Sequence, residues 1–209
     1  MMWRRLKRLH SDERGGVLVE ATVMLVIIFT FVLGSVDFLM AMYQWNAAAK
    51  AVQLGARIAA VSSPVSSDLA TMTGLGGGVN PGDPMPAFTR VCNGAAATCT
   101  GGTFSATALN TIVYGRGSGN CTGAASYYNF GMCDVFNRIA PANVVITYTQ
   151  TGLGYAGRPG GPVPTITVTL QNMPFRFFFL GGLMGFGNIQ IAPIATETGE
   201  DMSSAAPTT

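Results

Sequence analysis

The sequence predicts an α+β protein built from one long N-terminal helix and a small antiparallel β-sheet. The first observation is an apolar stretch from Val17 to Tyr43, in which only Glu20 and Asp37 carry charge. The second is an alternation of β-branched and threonine residues in the C-terminal half, which is typical of half-buried strands. The third is a set of four cysteines between these two regions. Together they predict a helix packed on a sheet, with a loop-rich insertion that disulfides hold together.

The apolar stretch is long enough to cross a membrane. At about 1.5 Å per residue it spans roughly 40 Å as a helix, more than the ~30 Å hydrocarbon core of a bilayer. Backbone inside lipid must form its hydrogen bonds internally, so a helix is expected. The alternative is a cleaved secretory signal, for which the small residues 47–49 resemble a cleavage site. The apolar core of such a signal is only about 7–15 residues long, and we therefore predict a retained anchor.

The same helix is predicted to continue out of the membrane through residues 44–61. Alanine, lysine, glutamine and leucine in this stretch are good helix formers. Val52, Ala56 and Ala59 or Ala60 fall on one face, which we expect to pack on the exported domain or on another subunit. The helix should stop at Ser62-Ser63-Pro64, since proline disfavours a helical conformation in the residue before it.

The basic residues indicate orientation. Lysine and arginine near a membrane helix are retained on the cytoplasmic side, so the N-terminus is predicted to lie inside and the C-terminal part outside. We divide the chain into a basic leader (1–15), the helix (16–61), an exported α+β domain (62–196) and a flexible tail (197–209). No lysine follows Lys50, and no basic patch indicates binding to nucleic acid. The basic residues ahead of the apolar stretch are Arg4, Arg5, Lys7, Arg8 and Arg14.

The cysteines at positions 92, 99, 121 and 133 are predicted to form disulfides, because an exported domain meets an oxidising environment. A zinc site is disfavoured, since the spacings are not the paired kind and the one histidine, His10, lies in the leader. Three pairings are possible. Closure of the shortest loops favours Cys92–Cys99 with Cys121–Cys133.

Three strands are predicted in the C-terminal part, over residues 144–149, 165–170 and 188–192, and they are expected to form one sheet under the helix. Residues 64–91 and 151–164 are predicted loops, because they are rich in glycine and proline. The second loop contains a G-x-G-x-x-G pattern at 152–157. Arg158-Pro159 follows it and cannot open the helix that a dinucleotide site needs. We therefore expect no cofactor.

A second apolar stretch runs from Pro174 to Phe186 and is too short to span a bilayer. Two interpretations remain open. It is either a short element packed on the core, or a surface whose phenylalanines face a partner or the membrane. The phenylalanines concerned are Phe175, Phe177, Phe178, Phe179 and Phe186.

Catalysis finds no support in the exported part. It has no histidine to act as a base, no lysine to activate a nucleophile and no Gly-x-Ser-x-Gly motif. We therefore expect neither an enzyme nor a small-molecule substrate.

A glycine pair, Gly15-Gly16, stands at the start of the apolar stretch, and Glu20 follows within it. This junction resembles that of type IV pilins and pseudopilins. In that family a prepilin peptidase cuts after a glycine, and a glutamate becomes the fifth residue of the mature chain. Cutting after Gly15 makes Gly16 the new N-terminus and Glu20 the fifth residue. The resemblance implies that Glu20 pairs with the free amine of a neighbouring subunit and sets the register between subunits.

Two later motifs resemble the TadE-like (tight adherence) family of pilus-assembly proteins. One is Gly34-Ser35-Val36-Asp37-Phe38, and the other is Gly55-Ala56-Arg57-Ile58-Ala59. With the basic leader and the helix that begins near Glu20, the resemblance covers residues 14–61. It implies a pilin-like fold and a place in the bacterial inner membrane, with the C-terminal domain in the periplasm or in a surface pilus.

The resemblance implies a minor pseudopilin or assembly component of a Tad/Flp-type (type IVc) pilus. Its expected partners are other pilus or pseudopilin subunits, a prepilin peptidase and an inner-membrane assembly platform. The alternative is an unprocessed single-span anchor that presents an adhesive or envelope-binding domain.

Overall fold

The computed structural model describes residues 13–116, 119–121, 129–179, 181–182, 185, 189–200 and 202. The chain divides into two compact units. The stem unit contains the residues up to Met42 and the segment Arg176–Gly187. The head unit contains Tyr43–Phe175 and the chain from Asn188 onward.

The predicted long helix is confirmed. Helix α1 spans Glu13–Ala60 without interruption, beginning three residues before the predicted start at 16 and ending one residue before the predicted end at 61. The chain leaves the helix at Ser62-Ser63-Pro64, as expected. In the stem unit, most apolar side chains of this helix are exposed. The helix is therefore long and apolar enough to cross a membrane.

The head unit is built on a five-stranded antiparallel sheet with the strand order β2-β1-β3-β4-β5. The predicted strands at 144–149 and 165–170 are confirmed, and they pair directly, with Ile146 opposite Val168. Their side chains alternate between buried and half-buried positions, which explains why the period-two pattern is clear in the sequence. The strands are β1 Thr89–Asn93, β2 Thr98–Cys99, β3 Val144–Thr149, β4 Thr165–Leu170 and β5 Ile194–Thr198.

The C-terminal part of α1 packs into the head through a face of small residues. The predicted face is confirmed, because Val52, Ala56, Ala59 and Ala60 are all buried. Residues spaced four apart form two adjacent rows along this face, 47-51-55-59 and 48-52-56-60. Apart from Val52 they are all alanine or glycine, which lets the core pack close to the helix backbone. The buried side chains of β3 and β4 belong to the same core.

The insertion between β2 and β3 contains helices that the sequence analysis did not predict. Helix α2 spans Ala106–Tyr114 and α3 spans Met132–Val135. The side chain of Ser105 caps α2 by accepting a hydrogen bond from the backbone N–H of Ala108 at 3.3 Å. At its other end Gly115 has φ of 83°, a conformation that favours glycine. The predicted insertion is therefore partly helical.

Three other predictions need correction. The third strand lies at Ile194–Thr198 and not at 188–192, because Pro193 cannot donate to a ladder and β5 begins after it. Within 188–192, Ile189 and Ile191 instead form backbone hydrogen bonds with residues 173–175, and residue 188 lies outside the described residues. Strand β5 also crosses the predicted tail boundary at residue 196. The loop predicted at 64–91 contains a 3-10 turn, Ser67–Ala70, and the start of β1.

Candidate functional site

The N-terminal junction is an open part of α1. Gly15 and Gly16 are exposed, and a Cβ added at either position would meet no atom within 4 Å among the described residues. Glu20 is exposed on the next turn of the same helix. In the part of the chain that the structure describes, one helix is long and apolar enough to cross a membrane, and this junction stands at its start.

The first family motif contains a buried carboxylate. Asp37 has no exposed surface, although its neighbours on the stem helix are exposed. Its Oδ1 atom accepts a hydrogen bond from the backbone N–H of Phe178 at 2.9 Å, and its Oδ2 atom accepts one from Phe179 at 2.9 Å. Each carboxylate oxygen thus binds one amide of a segment far away in sequence. Asp37 acts within the stem unit as an anchor for that segment.

The second family motif lies in the head unit and makes close packing possible. Gly55 is buried on α1, and a Cβ there would lie 2.5 Å from the Sδ atom of Met132 and 2.8 Å from its Cγ atom. Met132 opens helix α3 and is itself fully buried. Ala56, the next residue of the motif, has no exposed surface. The two small residues therefore admit α3 to the surface of α1.

Residues 15–57 match the family model described as TadE-like protein. The match begins at the glycine pair and ends within the second motif, at Arg57. The N-terminal segment of the chain is therefore TadE-like. The resemblance expected from the sequence is confirmed over these residues, which form a small part of the chain. No curated protein and no solved structure matches the chain significantly.

The TadE-like segment is also the apolar helix, and this coincidence supports a coarse assignment. The family match and the spanning helix together indicate a membrane protein associated with Tad pili. One helix of sufficient length and apolarity is consistent with a single-pass protein. The head unit beyond Arg57 lies outside the matched region.

Arg57, the last residue of the TadE-like segment, points to solvent. Its Nε atom lies 3.8 Å from Oε1 of Glu197 in β5, and the two side chains are 77% and 43% exposed. An ion pair this exposed contributes roughly 0–1 kcal/mol. The ion pair therefore adds little to the stability of the head.

The structure pairs Cys92 with Cys99 and Cys121 with Cys133, the pairing that closure of the shortest loops favours. No cysteine is free. The first disulfide joins β1 to the short edge strand β2. The second joins α3 to the chain before it. The second disulfide therefore lies within the insertion, whereas the first links two neighbouring strands of the sheet.

The phenylalanine segment divides between the two units. Phe175 is half-buried against the head core, so the core-packing interpretation holds for this residue. In the stem unit Phe178 is 67% exposed and Phe179 is 44% exposed, while Phe177 is half-buried. Phe186 lies outside the described residues. Phe178 and Phe179 are thus exposed among the described residues, and the interpretation that they face a partner or the membrane stays a prediction.

Sequence reasoning missed a partly buried polar link within the head unit, between α1 and the residue before Phe175. One guanidinium nitrogen of Arg138 donates to Oε1 of Gln44 on α1 at 2.7 Å, and the other donates to the carbonyl oxygen of Pro174 at 2.7 Å. The guanidinium also lies 5.6 Å from the ring centroid of Phe136. A single arginine between the apolar residues 135–136 and 139–140 was the signal that could have indicated a half-buried, hydrogen-bonded cation.

Proposed function

We propose that this protein is a minor pseudopilin or assembly component of a Tad/Flp-type pilus. The observation that carries the proposal is the TadE-like match over residues 15–57, which coincides with an exposed apolar helix. On this proposal the stem inserts among the helices of neighbouring subunits or into the bilayer. The head is the part displayed. Its role is structural and not enzymatic.

The protein is proposed to insert with its N-terminus in the cytoplasm of a bacterium and to place its head on the periplasmic side of the inner membrane. The cluster of arginine and lysine before residue 15 supports this orientation. The two disulfides support it independently, since disulfides persist in the periplasm and are rare in the cytosol.

Processing is proposed to occur between Gly15 and Gly16 by a prepilin peptidase. The open space around both glycines and their low helix propensity favour local unwinding at this bond. Cleavage removes the basic leader and gives Gly16 a charged amine. Glu20 then lies on the first turn of the mature helix, where the amine of a neighbouring subunit can neutralise it. Without such a partner, a charged acidic residue inside a membrane-spanning segment is energetically unfavourable.

The test is the N-terminal sequence and intact mass of the protein recovered from its native membrane. A chain that begins at Gly16 is expected. A start at Met1 or Met2 would contradict processing and favour the unprocessed anchor that presents an adhesive domain. A start near Lys50 would mean secretion and would overturn the proposal.

A variant separates processing from assembly. Glu20→Ala is expected to insert in the membrane and be cleaved, but to be lost from assembled pili or from the assembly platform. Thr22→Ala is the matched control, because the hydroxyl of Thr22 donates to the carbonyl oxygen of Val19 on its own helix. Normal assembly of Glu20→Ala would remove the proposed role of the glutamate.

A further inference from the structure

The stem unit contains an irregular segment whose backbone is bonded to the helix by a carboxylate. Asp37 uses both of its oxygens, one for the N–H of Phe178 and one for that of Phe179. Charge-assisted bonds of this kind are stronger than those between neutral groups. They also remove the chief penalty that irregular backbone meets near lipid, which is an unsatisfied N–H group.

The position of Asp37 on the helix indicates its depth in the membrane. From Val17, where the apolar stretch begins, to Asp37 the helix rises roughly 30 Å, which matches the thickness of the hydrocarbon core. If the start of the stretch lies at one face of the core, Asp37 lies at the other. Aromatic residues concentrate at this boundary, where headgroups meet acyl chains.

Apolar side chains are exposed both on the segment and on the helix. Phe178 and Phe179, whose backbone amides bond to Asp37, have exposed side chains, and so do Phe38 and Leu39, which follow Asp37 on the helix. The Asp37 carboxylate itself has no exposed surface. The backbone N–H groups of Phe178 and Phe179 are therefore hydrogen-bonded within the chain, while their apolar side chains are exposed. This is the pattern that contact with lipid requires.

We propose that Phe178 and Phe179 insert into the bilayer leaflet on the C-terminal side of the spanning helix, at the boundary of headgroups and acyl chains, and that Asp37 holds them there. The occupant of this surface is lipid. The inference rests on α1 spanning a membrane and not on cleavage at Gly15 or on a pilus.

The experiment places a fluorescent probe at each phenylalanine in turn. All four native cysteines are paired, so a cysteine introduced by Phe178→Cys or Phe179→Cys can be labelled with an environment-sensitive dye without reduction. The full chain is reconstituted in vesicles of phosphatidylethanolamine and phosphatidylglycerol. The vesicles carry a nitroxide lipid labelled near the headgroup or near the end of the acyl chain, and iodide serves as the aqueous quencher.

Two reference sites calibrate the depth. Val26→Cys places the label near the middle of the spanning stretch, where the deep nitroxide should quench best. Leu153→Cys places it on the exposed loop between β3 and β4, to show the response of an exposed apolar position of the head. Labels at 178 and 179 are expected to emit at shorter wavelength than the label at 153, and to be quenched most by the shallow nitroxide.

Quenching of the labels at 178 and 179 by iodide, as for a label in water, would overturn the proposal. Protection from both iodide and nitroxide lipids would also overturn it, because the surface would then be covered by protein, such as a second copy of the chain. Agreement between the two labelled sites guards against a local disturbance by one substitution.

The role of Asp37 is tested on the Phe178→Cys chain. Asp37→Asn keeps the size of the side chain but has one carbonyl oxygen in place of two carboxylate oxygens, so one of the two amides loses its acceptor. Asp37→Ala removes both acceptors. Shallow quenching is expected to fall in the order wild type, Asn, Ala. Ser35→Ala is the matched control, since the Ser35 hydroxyl bonds to the carbonyl of Phe31 on its own helix. Unchanged quenching in Asp37→Ala would remove the anchoring role.

Failure here and failure of the proposed function are distinguishable. N-terminal sequencing of the same membrane preparation reports cleavage, whereas the quenching reports lipid contact. Either result can be positive while the other is negative.

Discussion

The backbone N–H of Val65 donates a hydrogen bond of 3.0 Å to the hydroxyl oxygen of Tyr148, and both residues are fully buried. Val65 follows the end of α1, and Tyr148 lies on the central strand β3. A buried N–H without an acceptor costs about 1–3 kcal/mol. The tyrosine hydroxyl therefore fixes the chain that leaves the long helix to the middle of the sheet.

Tyr148→Phe is expected to lower the free energy of unfolding by about 1–3 kcal/mol, since it leaves the ring in place and removes the acceptor for Val65. Denaturant unfolding of the full chain in detergent micelles measures the change. Tyr155→Phe is the control, because Tyr155 is exposed and its hydroxyl should contribute nothing. Equal stability of Tyr148→Phe and wild type would contradict the role of this bond.

The buried hydroxyl of Tyr148 should also make the free energy of unfolding depend on pH in the alkaline range. Burial raises the pKa of Tyr148, and the hydrogen bond from Val65 opposes this effect more weakly. The ordinary pKa of a tyrosine is about 10, so above this pH the unfolded chain releases a proton that the folded chain keeps. The stability that wild type gains from Tyr148 is complete below pH ~10 and falls by about 1.4 kcal/mol per pH unit above it.

The measurement compares wild type with Tyr148→Phe between neutral pH and pH ~11, so that the other tyrosines cancel. The wild-type advantage in unfolding free energy should be constant at first and shrink at alkaline pH. An advantage that stays constant across the range would mean that Tyr148 ionises equally in both states.

The sequence predicted the elements whose two faces differ most. Strands β3 and β4 alternate buried and half-buried residues, and the head part of α1 has a row of small apolar residues, so periodicity found all three. Strands β1 and β5 are short, and among the described residues β1 pairs with β2 over only two residues and β5 pairs with β4 alone. The alternation of apolar and polar residues along β1 and β5 was therefore too weak to predict these strands from the sequence. Helix α2 did carry a signal, a serine cap followed by Leu109, Ile112 and Val113 at helical spacing.

The candidate site was predictable in its residues but not in its contacts. The family motifs named Asp37 and Gly55 from the sequence. Their partners are Phe178, which is 141 residues away from Asp37, and Met132 in a short helix that was not predicted. No local pattern encodes a partner at such a distance, because the fold of the intervening chain decides it. Periodicity also could not predict that Phe178 is exposed while Phe175 is half-buried.

The disulfide pairing can be tested by one digestion. Trypsin cuts after Arg90, Arg116 and Arg138, and no lysine lies between these sites. Peptide 91–116 then contains both Cys92 and Cys99, and peptide 117–138 contains the other two. Each peptide is expected to carry its own internal disulfide and to gain the mass of two hydrogens on reduction. Either of the other pairings would instead join the two peptides into one species that separates on reduction.

The disulfide between Cys121 and Cys133 also predicts a loss of stability. It closes a loop with a sequence separation of 12 residues. Replacing both cysteines with serine should lower the free energy of unfolding by about 3 kcal/mol, because the unfolded chain regains the freedom that the link removes. Thermal unfolding of the full chain with and without a reductant measures this effect. The double variant lacks this link and should unfold at a lower temperature than wild type. Equal unfolding of wild type and variant without reductant would contradict the prediction.

The contact between Gly55 and Met132 gives the sharpest test of the TadE-like motif in the head. Gly55→Ala adds a methyl group that meets the Sδ and Cγ atoms of Met132. Overpacking costs about 1–3 kcal/mol, and the better helix propensity of alanine returns about 1 kcal/mol. The net result should be a loss of stability of about 1 kcal/mol, whereas Gln53→Ala at an exposed position of the same helix should cost little.

A double-mutant cycle separates the clash from other effects of the substitution. Met132→Ala alone should cost about 2–5 kcal/mol, since it leaves a cavity in the core. In the presence of Met132→Ala, the methyl group that Gly55→Ala adds enters space that is already empty, so the second substitution should no longer destabilise the head. Coupling of about 0.5–3 kcal/mol between the two sites is therefore expected from unfolding measurements on the four chains. Strictly additive losses would show that the glycine serves something other than the approach of α3 to α1.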